Sequence, residues 1–287
     1  MRKIYLLTTE HLECGLWFRD EEDFIVAMNY IAIQAACSPE AVILAFILMS
    51  NHIHIVLRGS REEVIDFVNQ FKRRYSQYYR QKYGTREFLR GNGLDVQAVP
   101  LEDEAPERVI AYVQMNCVSA NICAHPSQYP WGSGNCFFNP DRPAGKRMGD
   151  LSVRARRQLL RSANPRVPED WLVSEKGYIL PSSYVDVPAV ESCFRTPKRM
   201  NFFLNNSSKA RKRIEKAEAA FRDQSILVCV PDLCRSLFQK GSFRELQGDE
   251  KVEFARQIRF RFSADATQIA RVCGITYAEA AALLDRV

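Results

Sequence analysis

Residues 41–58, AVILAFILMSNHIHIVLR, constrain the fold more than any other stretch of this chain. Two apolar arms rich in β-branched residues flank the polar segment SNHIH. Each arm is too short to cross a membrane, so the pattern predicts two buried strands joined near Ser50. Because side chains alternate between the faces of a strand, we expect His52 and His54 on one face and Ile53 on the other.

Two imidazoles side by side form half of a metal site. The chain contains only four histidines, so a pair spaced by two residues favours metal binding. The alternative is that each is an ordinary hydrogen-bonded residue at a strand end. Imidazole suits zinc, manganese or iron, and a third ligand must come from another part of the chain.

The bulk composition indicates a globular protein with more than one core. Its 287 residues exceed the size of one typical domain, and 46% hydrophobic residues are enough for packed cores. The N-terminus lacks the apolar region of an export signal, and the nine cysteines are scattered without metal-binding spacing. We therefore expect reduced thiols in a cytoplasmic protein that has no membrane partner.

The first hundred residues follow the order β-α-β-β-α-β. Gly84 is suited to end the second helix, and Pro100 favours an edge position for the last strand. Besides the strand pair, we predict a strand over 4–9, a strand or an extended connection over 94–101, and helices over 20–38 and 62–83.

The net charge of +6 is concentrated in three basic clusters, 72–90, 142–166 and 195–222. Such clusters suit phosphate backbones, although a solvated basic surface is the alternative. In the first cluster, FKRRYSQYYRQKY interleaves tyrosines with cations, which fits a nucleic-acid groove, while tyrosines at this spacing also serve as packing residues. The candidate DNA-binding residues are Lys72, Arg73, Arg74, Arg80 and Lys82.

Residues 102–123, EDEAPERVIAYVQMNCVSANIC, form the second informative stretch. The acidic residues and Pro106 predict the start of a helix. Tyr112 and Asn116 lie four residues apart, so the phenol and the carboxamide are expected to point into one small volume. The irregular aromatic segment SQYPWGS that follows is suited to capping a core.

The composition changes near residue 139 to Pro, Gly and Arg, which predicts a domain boundary between 140 and 150. Near the C-terminus, a helix, a turn containing Gly274 and a second helix begun by Thr276 have the helix-turn-helix layout. The alternative is a small helical bundle that does not touch DNA. We divide the chain into an N-terminal domain over 1–140, a basic and irregular linker region over 141–200, and a helical region over 201–287.

Together, SNHIHIVL, the basic helix, AYVQMNCVSANIC and SQYPWGS resemble the HUH single-tyrosine transposases, and among them the REP-associated tyrosine transposases. The resemblance covers roughly residues 1–138. It implies an α+β fold, with a ferredoxin-like β-α-β-β-α-β catalytic domain and an added tyrosine-bearing helix. A mostly α-helical C-terminal domain is expected to follow.

The resemblance also implies roles for four residues. His52 and His54 would bind a divalent metal, Mg²⁺ or Mn²⁺, with Asn116 as the third ligand. Tyr112 matches the nucleophile. A tyrosine attacking a DNA phosphodiester forms a 5′-phosphotyrosine link that conserves bond energy, so the strand can be rejoined to another 3′-OH.

Two positions depart from the pattern of the REP-associated branch. Cys117 stands where members often have Pro, and Gly132 stands where they often have a second Ser before the end of a PWSS motif. Helix geometry and contacts to the single strand are the properties that these differences affect.

The implied function is metal-dependent cleavage and transfer of single-stranded DNA, often beside a hairpin. Relatives form the active site either within one chain or across a homodimer, and both arrangements stay open here. The runner-up is a domesticated, non-catalytic protein that binds structured DNA. A third class is a replication initiator or relaxase-type nickase, which often carries a second catalytic tyrosine; here Tyr75 and Tyr129 look structural.

Overall fold

The computed structural model describes residues 2–12, 15–85, 88–89, 91–162, 167–207 and 222–286. Parts of the three predicted basic clusters, namely 86–87 and Arg90, 163–166, and 208–221, lie outside the described residues. The strands are β1 (Lys3–Thr9), β2 (Val42–Met49), β3 (His52–Gly59), β4 (Leu94–Val99), β5 (Lys146–Arg147) and β6 (Leu172–Val173). The helices are α1 (Glu21–Cys37), α2 (Arg61–Tyr83), α3 (Ala105–Gln114), α4 (Asn116–Ser119), α5 (Val153–Leu160), α6 (Val187–Phe194), α7 (Pro197–Asn206), α8 (Asp223–Phe238), α9 (Gly248–Phe262), α10 (Ala266–Cys273) and α11 (Tyr277–Asp285).

The first four strands form an antiparallel sheet in the order β2-β3-β1-β4, which confirms the predicted ferredoxin-like topology. β4 lies at an edge and ends at Val99, immediately before Pro100. In the register of β1 and β3, Thr8 lies opposite His54. The sheet therefore places the beginning of β3 beside the end of β1.

Local signals explain where the two long helices begin and end. The side chain of Asp20 accepts a hydrogen bond from Asp23 N at the start of α1. α2 begins with a capping box formed by Ser60 and Glu63. It ends at Gly84, whose φ of 71° is a left-handed conformation that glycine adopts without strain.

The tyrosines of α2 belong to the core rather than to an exposed stacking surface. Tyr75 is fully buried, and its hydroxyl donates to Trp17 O at 2.5 Å. The hydroxyl of Tyr78 donates to the buried carboxylate of Asp23 at 2.8 Å. Packing is thus the structural role of this aromatic face.

In the predicted linker region 141–200, the buried residues that the structure describes share one continuous core with the sheet domain, and this core reaches Leu204. Asn29 on α1 is buried, and its Nδ2 donates to the carbonyls of Leu159 and Gly177. Its Oδ1 accepts from Ile179 N at 2.9 Å. These long-range bonds hold segments that lack a regular hydrophobic period of their own.

The helices α8–α11 have a second, separate core that includes Phe254, Ile258 and Ile269. α10 and α11 are joined through Gly274, which is left-handed at φ 69° as a turn between helices requires. The predicted helix pair is therefore present, while its DNA-binding role stays a prediction. Among the described residues, no helix is long and apolar enough to span a membrane.

Candidate metal and tyrosine site

The two histidines of β3 lie side by side as the alternation predicted. Both are buried, and their Nε2 atoms are 3.0 Å apart. Two nitrogens in adjacent positions about 2.1 Å from one six-coordinate cation would lie about 3 Å apart. The spacing of His52 and His54 therefore fits a shared metal ion.

The opposite ring nitrogens have partners that fix the rings. His52 Nδ1 lies 2.9 Å from Asn51 Oδ1, and Asn51 Nδ2 donates to Leu12 O. An amide oxygen only accepts, so His52 Nδ1 carries a proton, and in the neutral ring that metal binding requires Nε2 presents its lone pair. His54 Nδ1 lies 2.9 Å from Thr8 Oγ1, a hydroxyl that can donate or accept. Such partners orient metal-binding histidines.

His11 is the site residue that the sequence analysis missed. Its ring stacks on that of His52, with centroids 3.6 Å apart and planes 13° from parallel. Ligand atoms of His11, His52 and His54 all lie within 4.8 Å of one another. The available signal was the antiparallel pairing of β1 with β3, which brings the residues after Thr9 next to His52.

Tyr112 and Asn116 also reach this cluster. The ring of Tyr112 meets that of His54 edge to face, with centroids 5.6 Å apart. Burial raises the pKa of the Tyr112 phenol. Asn116 is buried and lines the same cavity as His11 and His52.

The predicted single helix over 102–123 is interrupted at Met115, where α3 ends and the short α4 begins. Asn116 Nδ2 bridges the junction by donating to the carbonyls of Tyr112 and Val113 at 3.0 and 3.2 Å. The amide nitrogen is therefore used within the helix, and the two bonds leave the amide oxygen as the atom suited to a cation.

The segment SQYPWGS covers the outer edge of β2. Leu48 N donates to Trp131 O at 2.8 Å, and Ser133 N donates to Phe46 O at 3.0 Å. A Cβ at Gly132 would lie 2.8 Å from Phe46 O, so a serine there would require this pairing to shift. The buried hydroxyl of Tyr129 donates to Leu48 O, which supports its structural role.

The five predicted DNA-binding side chains of α2 differ in their surroundings. Lys72 is buried, with a pKa lowered by burial, and its Nζ donates to Asn92 O. Burial lowers the pKa of Lys82, but hydrogen bonds to Asp20, Asp23 and Glu22 outweigh it and raise the pKa above its ordinary value.

The remaining three predicted DNA-binding side chains are more accessible. The guanidinium of Arg74 lies 5.6 Å from the ring centre of Tyr30, whereas Arg73 and Arg80 are exposed. Among the described residues that line the cavity at the histidines, none comes from α2. DNA binding by this helix stays a prediction, and Arg73 and Arg80 are the side chains best placed to test it.

A cavity of about 1170 Å³ lies against the histidine cluster. One part of its wall comes from the sheet domain and the tyrosine helices, and the other comes from α8, α10 and α11. Residues on the second part include Arg222, Asp223, Thr267, Gln268, Arg271 and Tyr277.

Comparison with known proteins identifies the N-terminal part of the chain. Residues 20–94 match the family model described as "Transposase IS200 like". This segment of the chain is therefore similar to the IS200-like transposases. The predicted single-tyrosine transposase resemblance is thereby confirmed. The match contains both histidines of β3 and ends before Tyr112, so the role of the tyrosine is not part of it.

Among solved structures, that of a REP-associated tyrosine transposase bound to a REP hairpin is similar to this chain, with 12% sequence identity and a TM-score of 0.33. The similarity covers 46% of this chain and 77% of that one. No curated protein matches the chain.

Proposed function

We propose that this protein is a transposase that cleaves and rejoins single-stranded DNA through a covalent 5′-phosphotyrosine at Tyr112. The observation that carries the proposal is the convergence of His52 and His54 through Nε2 atoms 3.0 Å apart, with the Tyr112 ring against His54. His52, His54 and the oxygen of Asn116 would hold Mg²⁺ or Mn²⁺, and His11 lies close enough to contribute as well. When bound, such an ion neutralises phosphate charge and favours the phenolate form of tyrosine.

Residues of the chain itself carry out the bond-breaking and bond-forming steps and hold the imidazoles in place. Tyr112 Oη attacks the scissile phosphorus, the phosphorus–O3′ bond breaks, and the leaving 3′ oxygen takes up a proton. The tyrosine keeps the 5′ phosphate, so attack by another 3′-OH restores a phosphodiester and frees the phenol. Asn51 and Thr8 hold the two imidazoles in place during both steps.

The test is to incubate the protein with labelled single-stranded oligonucleotides and Mn²⁺ and to look for a covalent adduct on a denaturing gel. We expect an adduct with the wild-type protein and with Tyr129→Phe, a matched loss of one buried hydroxyl. Tyr112→Phe should bind DNA and form no adduct. DNA binding without any adduct in the wild-type protein would favour the domesticated DNA-binding alternative instead.

Three further parts of the proposal rest on the resemblance alone. They are a hairpin next to the cleavage site, a homodimer, and the use of a single strand beside that hairpin. The cytoplasmic location is a separate prediction that rests on the scattered cysteines. Oligonucleotides with and without a hairpin beside the same single strand would test the first.

A further inference from the structure

Residues of the C-terminal helical unit α8–α11 line the same cavity as His11, His52 and Asn116. We propose that this unit is the second wall of the DNA cleft and that Tyr277 stacks on a base beside the scissile phosphate. The inference rests on the proposed function and adds to it a contact that selects bases.

Buried polar contacts dock the unit beside the metal-binding strand. The Asp223 carboxylate accepts from Ser50 Oγ at 2.5 Å, and Ser50 stands two residues before His52. The same buried carboxylate accepts from Arg271 Nε at 2.8 Å and from Gln268 Nε2 at 3.0 Å. Because Asp223 joins α8, α10 and the turn before β3, the wall has a defined position relative to the histidines.

The charges along the cavity are balanced, which favours contact with bases over contact with phosphates. The lining side chains include three basic and three acidic residues, namely Lys176, Arg222, Arg271, Glu21, Asp223 and Asp265. Lys176 pairs with Glu21, and Arg271 pairs with Asp223. A wall that tracks the phosphate backbone would instead present unpaired cations.

Tyr277 has the position and chemistry of a stacking residue. It is the first residue of α11, it lines the cavity, and 52% of its surface is exposed. Stacking on aromatic side chains is the usual way to hold the bases of a single strand. Thr267 on α10 is exposed at the same cavity and supplies a hydroxyl for a base edge.

The charge of α11 separates this mode of binding from major-groove reading by a helix-turn-helix. Its exposed residues include Glu279 and Asp285, and the segment Tyr277–Asp285 contains no Lys or Arg. A helix inserted into the major groove lies between two phosphate backbones, where these carboxylates would be repelled. A single strand held at the N-terminal end of α11 avoids that repulsion.

The experiment compares full-length variants in a Tyr112→Phe background, which prevents cleavage. The probes are fluorescein-labelled oligo(dT) and an abasic strand of equal length, each titrated in Mn²⁺ across a salt series. We expect Tyr277→Ala to weaken oligo(dT) binding on the order of tenfold, with the salt slope unchanged. The same substitution should leave the affinity for the abasic strand almost unchanged. Tyr277→Phe should retain oligo(dT) affinity because the aromatic ring remains.

Two further variants serve as controls for this result. Arg222→Ala should lower the affinity for both probes and flatten the dependence of affinity on salt, as expected for a cation near a phosphate. Phe260→Ala removes another aromatic side chain of the same unit. Phe260 is 86% exposed and does not line the cavity, so the affinity for both probes should stay unchanged.

Equal oligo(dT) affinities for Tyr277→Ala and Phe260→Ala would overturn the inference, and so would an equal loss on the abasic strand. Absence of an adduct in the protein that retains Tyr112 would instead overturn the proposed function. The affinity comparison would still test whether Tyr277 contacts the bases of a single strand. A folded Tyr277→Phe variant that loses binding would show that the hydroxyl, not stacking, is responsible.

Discussion

Replacing Thr8 by Val should weaken metal binding without touching any proposed ligand. Within the hydrogen-bond chain described above, His52 Nε2 has a lone pair, so His54 Nε2 donates to it and His54 Nδ1 accepts from Thr8. Metal binding requires the Nε2 lone pair of His54, and its proton must then sit on Nδ1 and be donated to Thr8 Oγ1. Valine has nearly the shape of threonine but cannot accept this hydrogen bond.

The magnitude follows from the burial of His54, which is 2% exposed. A buried donor left without an acceptor costs about 1–3 kcal/mol, or roughly 5- to 150-fold in the Kd for the metal. Titration calorimetry with Mn²⁺ would measure this change. The matched control is Thr9→Val, since Thr9 Oγ1 accepts from Ile53 N and does not bond to either ligand ring.

If Thr8→Val and Thr9→Val bind Mn²⁺ as tightly as the wild-type protein, the proposed proton arrangement is wrong. If both weaken it equally, the effect comes from the strand pairing of β1 and β3 and not from the imidazole of His54. Only a selective loss in Thr8→Val supports the orientation of His54 by its second nitrogen.

Three other outcomes are expected. Because burial raises the pKa of the Tyr112 phenol, the protonated form prevails at neutral pH, and the initial rate of adduct formation at saturating Mn²⁺ should rise with pH; a flat profile would contradict a phenolate nucleophile. Asn29→Ala should lower the free energy of unfolding by about 2–4 kcal/mol in urea titrations, since it leaves buried backbone groups unpaired, whereas Gln34→Ala on the same helix removes a bond to the Ser38 side chain and should cost clearly less. A fragment ending at residue 140 should fail to fold by circular dichroism, whereas one ending at residue 207 should retain the first core; a folded, cooperative 1–140 fragment would refute the assignment of the middle region to that core.

The parts of the fold that could be predicted are those with strong local patterns. The alternation around Ile53 placed His52 and His54 on one face, and the apolar runs on either side identified β2 and β3. Gly84 and Pro100 marked the ends of elements correctly because their backbone restrictions act within a few residues.

The parts that escaped prediction depend on contacts between distant residues. His11 follows a strand and is exposed, so its place beside His52 appears only when the antiparallel pairing is known. The middle region has two-residue strands and short helices, held by groups such as Asn29 that lie more than a hundred positions away in the sequence. Docking of the C-terminal unit involves the buried carboxylate of Asp223, which accepts from Ser50, and the amide of Gln224, which donates to Phe18 O; no periodic pattern reveals either contact.

The separation of the chain into two hydrophobic cores affects how its stability must be measured. Two cores joined by polar contacts such as Ser50 with Asp223 are expected to unfold in separate transitions, so a single Tm does not describe the protein. A ligand that touches both walls of the cavity binds only the docked arrangement and stabilises it by about 2.7 kcal/mol at a hundredfold excess over Kd. Differential scanning calorimetry with an oligonucleotide would then show the two transitions moving together, which reports the docking of the cores without any chemical step.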